Sequence, residues 1–227
     1  MGQGSTRVPQ TPDEAAKALS LLVHDLRAPL SVAQGYLRLL QQNRLSAEAD
    51  RTRAITQAMD ALGRITRLCE DAAEFVAEPV LDGPVATLSV PSLVEQVKQA
   101  CSAQCSPLEF IAPPAPLSGT IRGVHMDRIV QSVAVILCAV RRSTRNDSVR
   151  VSVQEGEKEA RFLLGSDEDR AALIARTPMT FDPWRGGHGI ALPLACRTIT
   201  GVGGRIWTGA DGRGSVGIAI PEEASVP

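Results

Sequence analysis

The chain has 227 residues, 44% of them hydrophobic and 22% charged, with a formal net charge of −1. That is enough apolar content for the core of one or two domains and too much for a disordered tail. The near-zero charge gives no electrostatic footprint for nucleic acid or an anionic membrane surface, so neither is expected as a partner.

In chain order, a polar leader over residues 1–12 lacks the apolar run of a signal peptide, and Thr11-Pro12-Asp13-Glu14 reads as a helix start. The helix that follows carries Leu19, Val23, Leu26, Leu30, Ala33, Leu37 and Leu40, alternating four and three apart as along a bundle seam. His24 stands one residue off that seam, where solvent can reach it. Pro29 lies inside the pattern and is expected to bend the helix near Asp25. After a break at Gln41–Ser46, a second helix over Ala47–Val76 repeats the seam with Ile55, Ala58, Leu62, Ile65, Cys69, Ala72 and Val76. The two form an antiparallel hairpin over residues 13–77. One hairpin cannot bury both seams, so two copies are expected to pair as a four-helix bundle, a homodimer.

Residues 78–91, with Pro79, Gly83, Pro84 and Pro91, read as a linker. Beyond it, residues 92–221 take the texture of an α/β domain. A helix over Ser92–Cys105 is followed by a short strand at Leu108–Ile111 and an apolar helix over Asp127–Arg142. A β-hairpin turns at Glu155–Lys158, a polar loop with at most one short helix spans Gly165–Gly186, and a helix covers Ile190–Thr200. Strands at Arg205–Trp207 and Val216–Ile220 close the sheet, leaving a tail over residues 222–227. The longest apolar run, Ile129–Val140, is interrupted by Gln131 and Ser132 and is too short to span a bilayer, so a cytoplasmic protein is expected. The five cysteines read as reduced core thiols. Cys101 and Cys105 are one helical turn apart, but no His or Cys at matching spacing completes a metal site. His125 reads as a surface or capping residue before its helix.

His24-Asp25-Leu26-Arg27-Ala28-Pro29-Leu30 resembles the H-box of bacterial sensor histidine kinases. The C-terminal half is similar to their ATP-binding domain, an α/β sandwich, and the resemblance covers about residues 15–221. It implies that His24 accepts a phosphoryl group, that Asp25 orients the ring and draws off its proton, and that Arg27 neutralises phosphoryl charge. It also implies response-regulator receiver domains as partners and an upstream kinase or sensor as the source of input. The residue types suit the chemistry, because imidazole is nucleophilic near neutral pH and an adjacent carboxylate fixes its tautomer.

The nucleotide half departs from the family pattern. The two asparagines that bind Mg²⁺ and phosphates in the family fall on Val135 and Ala139, and neither offers the oxygen that a hard cation needs. The family's Asp-x-Gly-x-Gly motif has no counterpart in register after Ala160–Gly165, where only Asp167 or Asp169 could substitute. Phe181-Asp182-Pro183-Trp184 resembles the F-box. Gly187-His188-Gly189-Ile190 resembles the phosphate-wrapping glycine turn, with Gly187 and Gly189 as its ATP contacts if a nucleotide binds. The expectation is a phosphotransferase that relays phosphate through His24 and needs no cofactor. The alternatives are an ATP-dependent autokinase using Mg²⁺ at an atypical site, and a noncatalytic pseudokinase scaffold.

Overall fold

The structure, a computed structural model, describes residues 12–77, 84–105, 108–113, 115–144, 149–175, 179–184, 189–209 and 214–223. They form two compact units, a helical hairpin and an α/β unit. The expected helix cap Thr11, most of the leader, residues 78–83 of the linker, and residues 224–227 of the tail lie outside the described residues.

In the hairpin, α1 (Pro12–Gln41) runs through Pro29 and opens with Asp13 and Glu14, acids placed at the positive end of its dipole. It ends in a Schellman turn. Asn43 takes the left-handed conformation (φ 49°), its N–H reaches the Leu40 carbonyl at 3.1 Å, and the Arg44 N–H reaches Leu39 at 3.1 Å. Helix α2 (Glu48–Val76) starts without a side-chain cap but with Glu48 and Asp50 in its first turn. Arg51 fastens the connecting loop by donating to the Leu45 carbonyl at 2.9 Å. Most of the residues buried here are small, namely Ala18, Ala33, Ala54, Ala58 and Ala61, and Phe75 near the end of α2 is buried with them. The large seam residues Leu19, Val23, Leu30, Leu37, Ile55, Leu62 and Val76 remain 42–68% exposed.

The α/β unit begins with β1 (Ala86–Ser89), which leads directly into α3 (Val90–Gln104). Both begin inside the stretch expected to be linker. Pro91 had marked a boundary in the sequence, yet it occupies the first turn of α3, where no backbone donor is needed. Ser89 caps that helix, its Oγ accepting the Ser92 N–H at 3.3 Å. Strand β2 (Glu109–Phe110) follows, then β3 (Thr120–Gly123), which pairs antiparallel with β1 as a separate two-stranded sheet. Helix α4 (Met126–Ser143) comes next, then the hairpin of β4 (Arg150–Glu155) and β5 (Glu159–Gly165). The chain continues through α5 (Asp167–Ala175), β6 (Met179–Thr180), α6 (Ala191–Gly201), β7 (Arg205–Thr208) and β8 (Val216–Pro221). The main sheet has the order β2-β4-β5-β8-β7-β6, antiparallel except for the β2–β4 pair.

Alternation divides the sheet into two faces. Val153, Phe162, Ile218 and Ile206 pair in one row across β4, β5, β8 and β7. That row belongs to the main core, together with Leu93 and Val97 of α3, Ile129, Val133 and Leu137 of α4, and Leu192 and Ile199 of α6. The neighbouring row, Ser152, Leu163, Gly217 and Trp207, faces the other side. There the Trp207 indole donates from Nε1 to the Leu173 carbonyl of α5 at 3.1 Å. Central strand β5 is thus buried on both faces, which is why Phe162-Leu163-Leu164 reads as an unbroken apolar run.

Candidate functional site

Helix α1 carries His24 on an open face, with its side chain 78% exposed. Its Nδ1 lies 3.1 Å from Oδ1 of Asp25, the next residue along. A carboxylate can only accept, so this contact places the ring proton on Nδ1 and leaves the Nε2 lone pair free to attack an electrophile. Side chains on a helix lean toward its N-terminus, which tilts Arg27, three residues on, back toward the histidine. His24 and Arg27 line one shallow trough on α1 with Ala16, Leu19, Ser20 and Val23. The trough is open to solvent and carries a nucleophile, a carboxylate beside it and a guanidinium. That set suits attack on a phosphoryl group, whose charge the guanidinium neutralises.

On α4, Val135 is half-buried and packs against the core, while Ala139 is buried. One turn before Val135, the exposed Gln131 accepts a hydrogen bond from Gln104 at 3.0 Å. No oxygen ligand stands at either of the two positions, so the residues present do not fit a Mg²⁺ ion there. The two acids after β5 are committed to the start of α5. Asp169 and Ser166 bond reciprocally, with Ser166 donating to Asp169 Oδ2 from its N–H at 3.1 Å and its hydroxyl at 2.6 Å. The Asp169 N–H returns a bond to Ser166 Oγ at 3.2 Å, completing a capping box. Asp167 pairs with Arg170, a buried arginine that also donates to the Gly165 carbonyl at 2.8 Å.

Phe181 of the F-box-like segment is part of the core, and the Asp182 carboxylate accepts the Trp184 N–H at 3.0 Å. Gly189 takes a left-handed conformation (φ 63°) two residues before α6, while Gly187 and His188 lie outside the described residues. His125 holds the capping position expected of it, at the N-cap of α4, where its backbone carbonyl accepts the Arg128 N–H at 2.9 Å and the Ile129 N–H at 3.2 Å, but its side chain is not on the surface. It is half-buried, left-handed (φ 52°), caps nothing with its side chain, and has an enclosed Nε2 with no partner. Among the described residues, no group of three or more His, Cys, Asp or Glu side chains is arranged to hold a metal ion. None of the described helices is long and apolar enough to cross a membrane.

Residues 15–76 match the family model of the His Kinase A (phospho-acceptor) domain. No curated protein matches the chain. Among solved structures, the chain is similar to Acinetobacter baumannii histidine kinase AdeS, with a TM-score of 0.58 and 16% identity over 88% of this chain and 98% of that one. It is similar as well to histidine kinase ThkA, solved in complex with response regulator protein TrrA, with a TM-score of 0.59 and 17% identity over 93% of this chain. Full-length ShkA, solved with AMPPNP, gives a TM-score of 0.53 and 19% identity over 92% of this chain. The chain spans 65% of the ThkA chain and 45% of the ShkA chain. At such identities the likeness is one of fold. Residues 15–76 thus carry a match to a histidine-kinase phospho-acceptor domain, and the chain shares the fold of these solved histidine kinases.

Proposed function

We propose that the protein is a histidine phosphotransferase, which takes a phosphoryl group from the aspartyl phosphate of one response-regulator receiver onto His24 and passes it to another. The observation that carries this reading is the contrast between a complete acceptor group on α1 and apolar residues, Val135 and Ala139, where a Mg²⁺-nucleotide site needs oxygen. In the forward step Nε2 of His24 attacks phosphorus, the bond from phosphorus to the receiver's carboxylate oxygen breaks, and the carboxylate leaves. Asp25 holds the Nδ1 proton while positive charge develops on the ring, and Arg27 meets the phosphoryl oxygens. Transfer between phosphohistidine and aspartate needs alignment more than activation, so a carrier of this kind has no need of its own nucleotide. ThkA was solved with a response regulator, which supports a receiver as the partner class. Receivers of this kind place the work in the cytoplasm.

The test is calorimetry with Mg²⁺ and ATP, alongside labelling from ATP and from a phosphorylated receiver. The expected result is no binding heat and no label from ATP, with label from the receiver alone. Micromolar, Mg²⁺-dependent binding with ATP-derived label on His24 would favour the autokinase, and no label from either donor would leave the scaffold.

We further read the functional form as a homodimer, because the leucines and isoleucines that a single hairpin leaves exposed are the seam of a four-helix bundle. Light scattering is expected to give twice the 24.1 kDa chain mass. Replacing Leu30 or Leu62 with aspartate, two residues exposed in the single hairpin, is expected to shift the protein to monomer. A monomeric parent protein would refute the assembly.

A further inference from the structure

Three thiols meet where the end of α3 packs on α4. Cys101 and Cys105 stand one turn apart at the end of α3, and Cys138 approaches them from α4. Their shared point is the Cys101 carbonyl, which accepts the Cys105 N–H at 3.0 Å and the Cys138 S–H at 3.8 Å. The Cys138 sulfur thus lies against the last turn of α3, at the same carbonyl that holds the Cys105 backbone. Polar bonds fix the helices together at this level: Gln104 donates to Gln131 at 3.0 Å, and Arg142 donates to the Gln104 carbonyl at 2.8 Å. All three sulfurs are free thiols; Cys101 and Cys138 are buried, and Cys105 is half-exposed.

We propose that Cys105 and Cys138 are an oxidation site, forming a reversible disulfide that ties α3 to α4 when the protein meets hydrogen peroxide. Cys105 is the entry point, because it is the sulfur of the three that solvent reaches. The Cys105 thiol gives up its proton as its sulfur attacks one peroxide oxygen, the O–O bond breaks, and the departing hydroxide takes up that proton as water, leaving a sulfenic acid. The Cys138 thiol then gives up its proton as its sulfur attacks the sulfenic sulfur, the S–O bond breaks, and a second water leaves. Two thiols and one peroxide become one disulfide and two waters. Burial pushes the Cys105 thiol up to about 12, while the contact with Cys101, together with burial, pushes Cys138 above its ordinary range. Both are therefore protonated near neutral pH, and the resting state is the dithiol. The link would fix α4 at the residue preceding Ala139, making the α/β unit responsive to oxidant independently of phosphate on His24.

The experiment uses the full chain carrying Cys69→Ser, which removes the exposed thiol of α2. The reduced protein is treated with hydrogen peroxide, its thiols are counted, and an unreduced digest is read by mass spectrometry. Of the five cysteines in the sequence four thiols remain in this background, and the count is expected to fall to two. A Cys105–Cys138 peptide pair should appear and dithiothreitol should reverse it. Adding Cys105→Ser should abolish the pair and keep its three remaining thiols, and its half-exposed position makes it a safer variant for folding than Cys138→Ala. Four surviving thiols, a pair that uses Cys101 or Cys196, or sulfinic acid at Cys105 without a crosslink would each overturn the proposal.

Discussion

Replacing His24 with glutamine is expected to cut the phosphoryl label taken from a phosphorylated receiver to background, a loss of at least about a hundredfold. Glutamine matches the ring roughly in size but its amide nitrogen is not a nucleophile, so the variant removes the acceptor with little change of shape. The side chain is 78% exposed, so the cost to stability should stay within about 0.5 kcal/mol and the melting curve should not move. Asp25→Asn separates the role of the neighbour from that of the nucleophile. An amide oxygen can still accept from Nδ1, but it carries no charge to offset the imidazolium that forms during attack. Transfer should slow by roughly tenfold to a hundredfold while the final amount of label is retained. A His24→Gln protein that takes up label at the parent rate would place the acceptor elsewhere and end the assignment.

Gly217→Ala should be among the most damaging single-methyl additions in the α/β unit. Glycine at this position lets the Trp207 indole lie flat against strand β8. An added Cβ would meet Trp207 at 2.2 Å from Cε2, 2.3 Å from Cζ2 and 2.7 Å from Nε1. The ring cannot move away freely, because its Nε1 donates to the Leu173 carbonyl and the Arg205 guanidinium stacks 5.8 Å from its centroid. Lifting the indole gives up that hydrogen bond, loosens α5 and opens space over Leu163, for a total of about 2–4 kcal/mol. The melting temperature should fall by about 10 °C. Trp207→Leu, destabilising in itself, removes the clash, so the alanine should cost much less in that background, and a double-mutant cycle reads the coupling. An unchanged melting temperature for Gly217→Ala alone would show that the indole has room the geometry denies it.

The long helices and the β4–β5 hairpin were legible because their periodicities are local and repeat over many residues. So was the His24–Asp25 pair, since the two are adjacent and need no tertiary contact to meet. Strands β1 and β3 were missed for the opposite reason. Each is four residues long, and each is completed by a partner more than thirty residues away. Residues 86–89 lie near prolines that suggested a linker, and pairing with residues 120–123 makes them a strand. Cys138 was missed as the companion of Cys101 and Cys105 because it reaches them through helix packing, which spacing along the chain does not report. Asp167 and Asp169 looked available in the sequence. Only the start of α5 showed that one closes a capping box and the other pairs with buried Arg170.

By itself, then, the sequence determined the helical hairpin, the histidine with its neighbouring carboxylate, and the absence of oxygen ligands at Val135 and Ala139. These depend on residue identity and short-range order alone. The tertiary structure decided which apolar residues a single hairpin covers, choosing alanines and leaving leucines exposed, because close helix approach favours small side chains. It also decided why Gly217 must be glycine and which three thiols converge. Those facts arise from the packing of distant segments, where a distance of a few ångströms settles what a side chain can do.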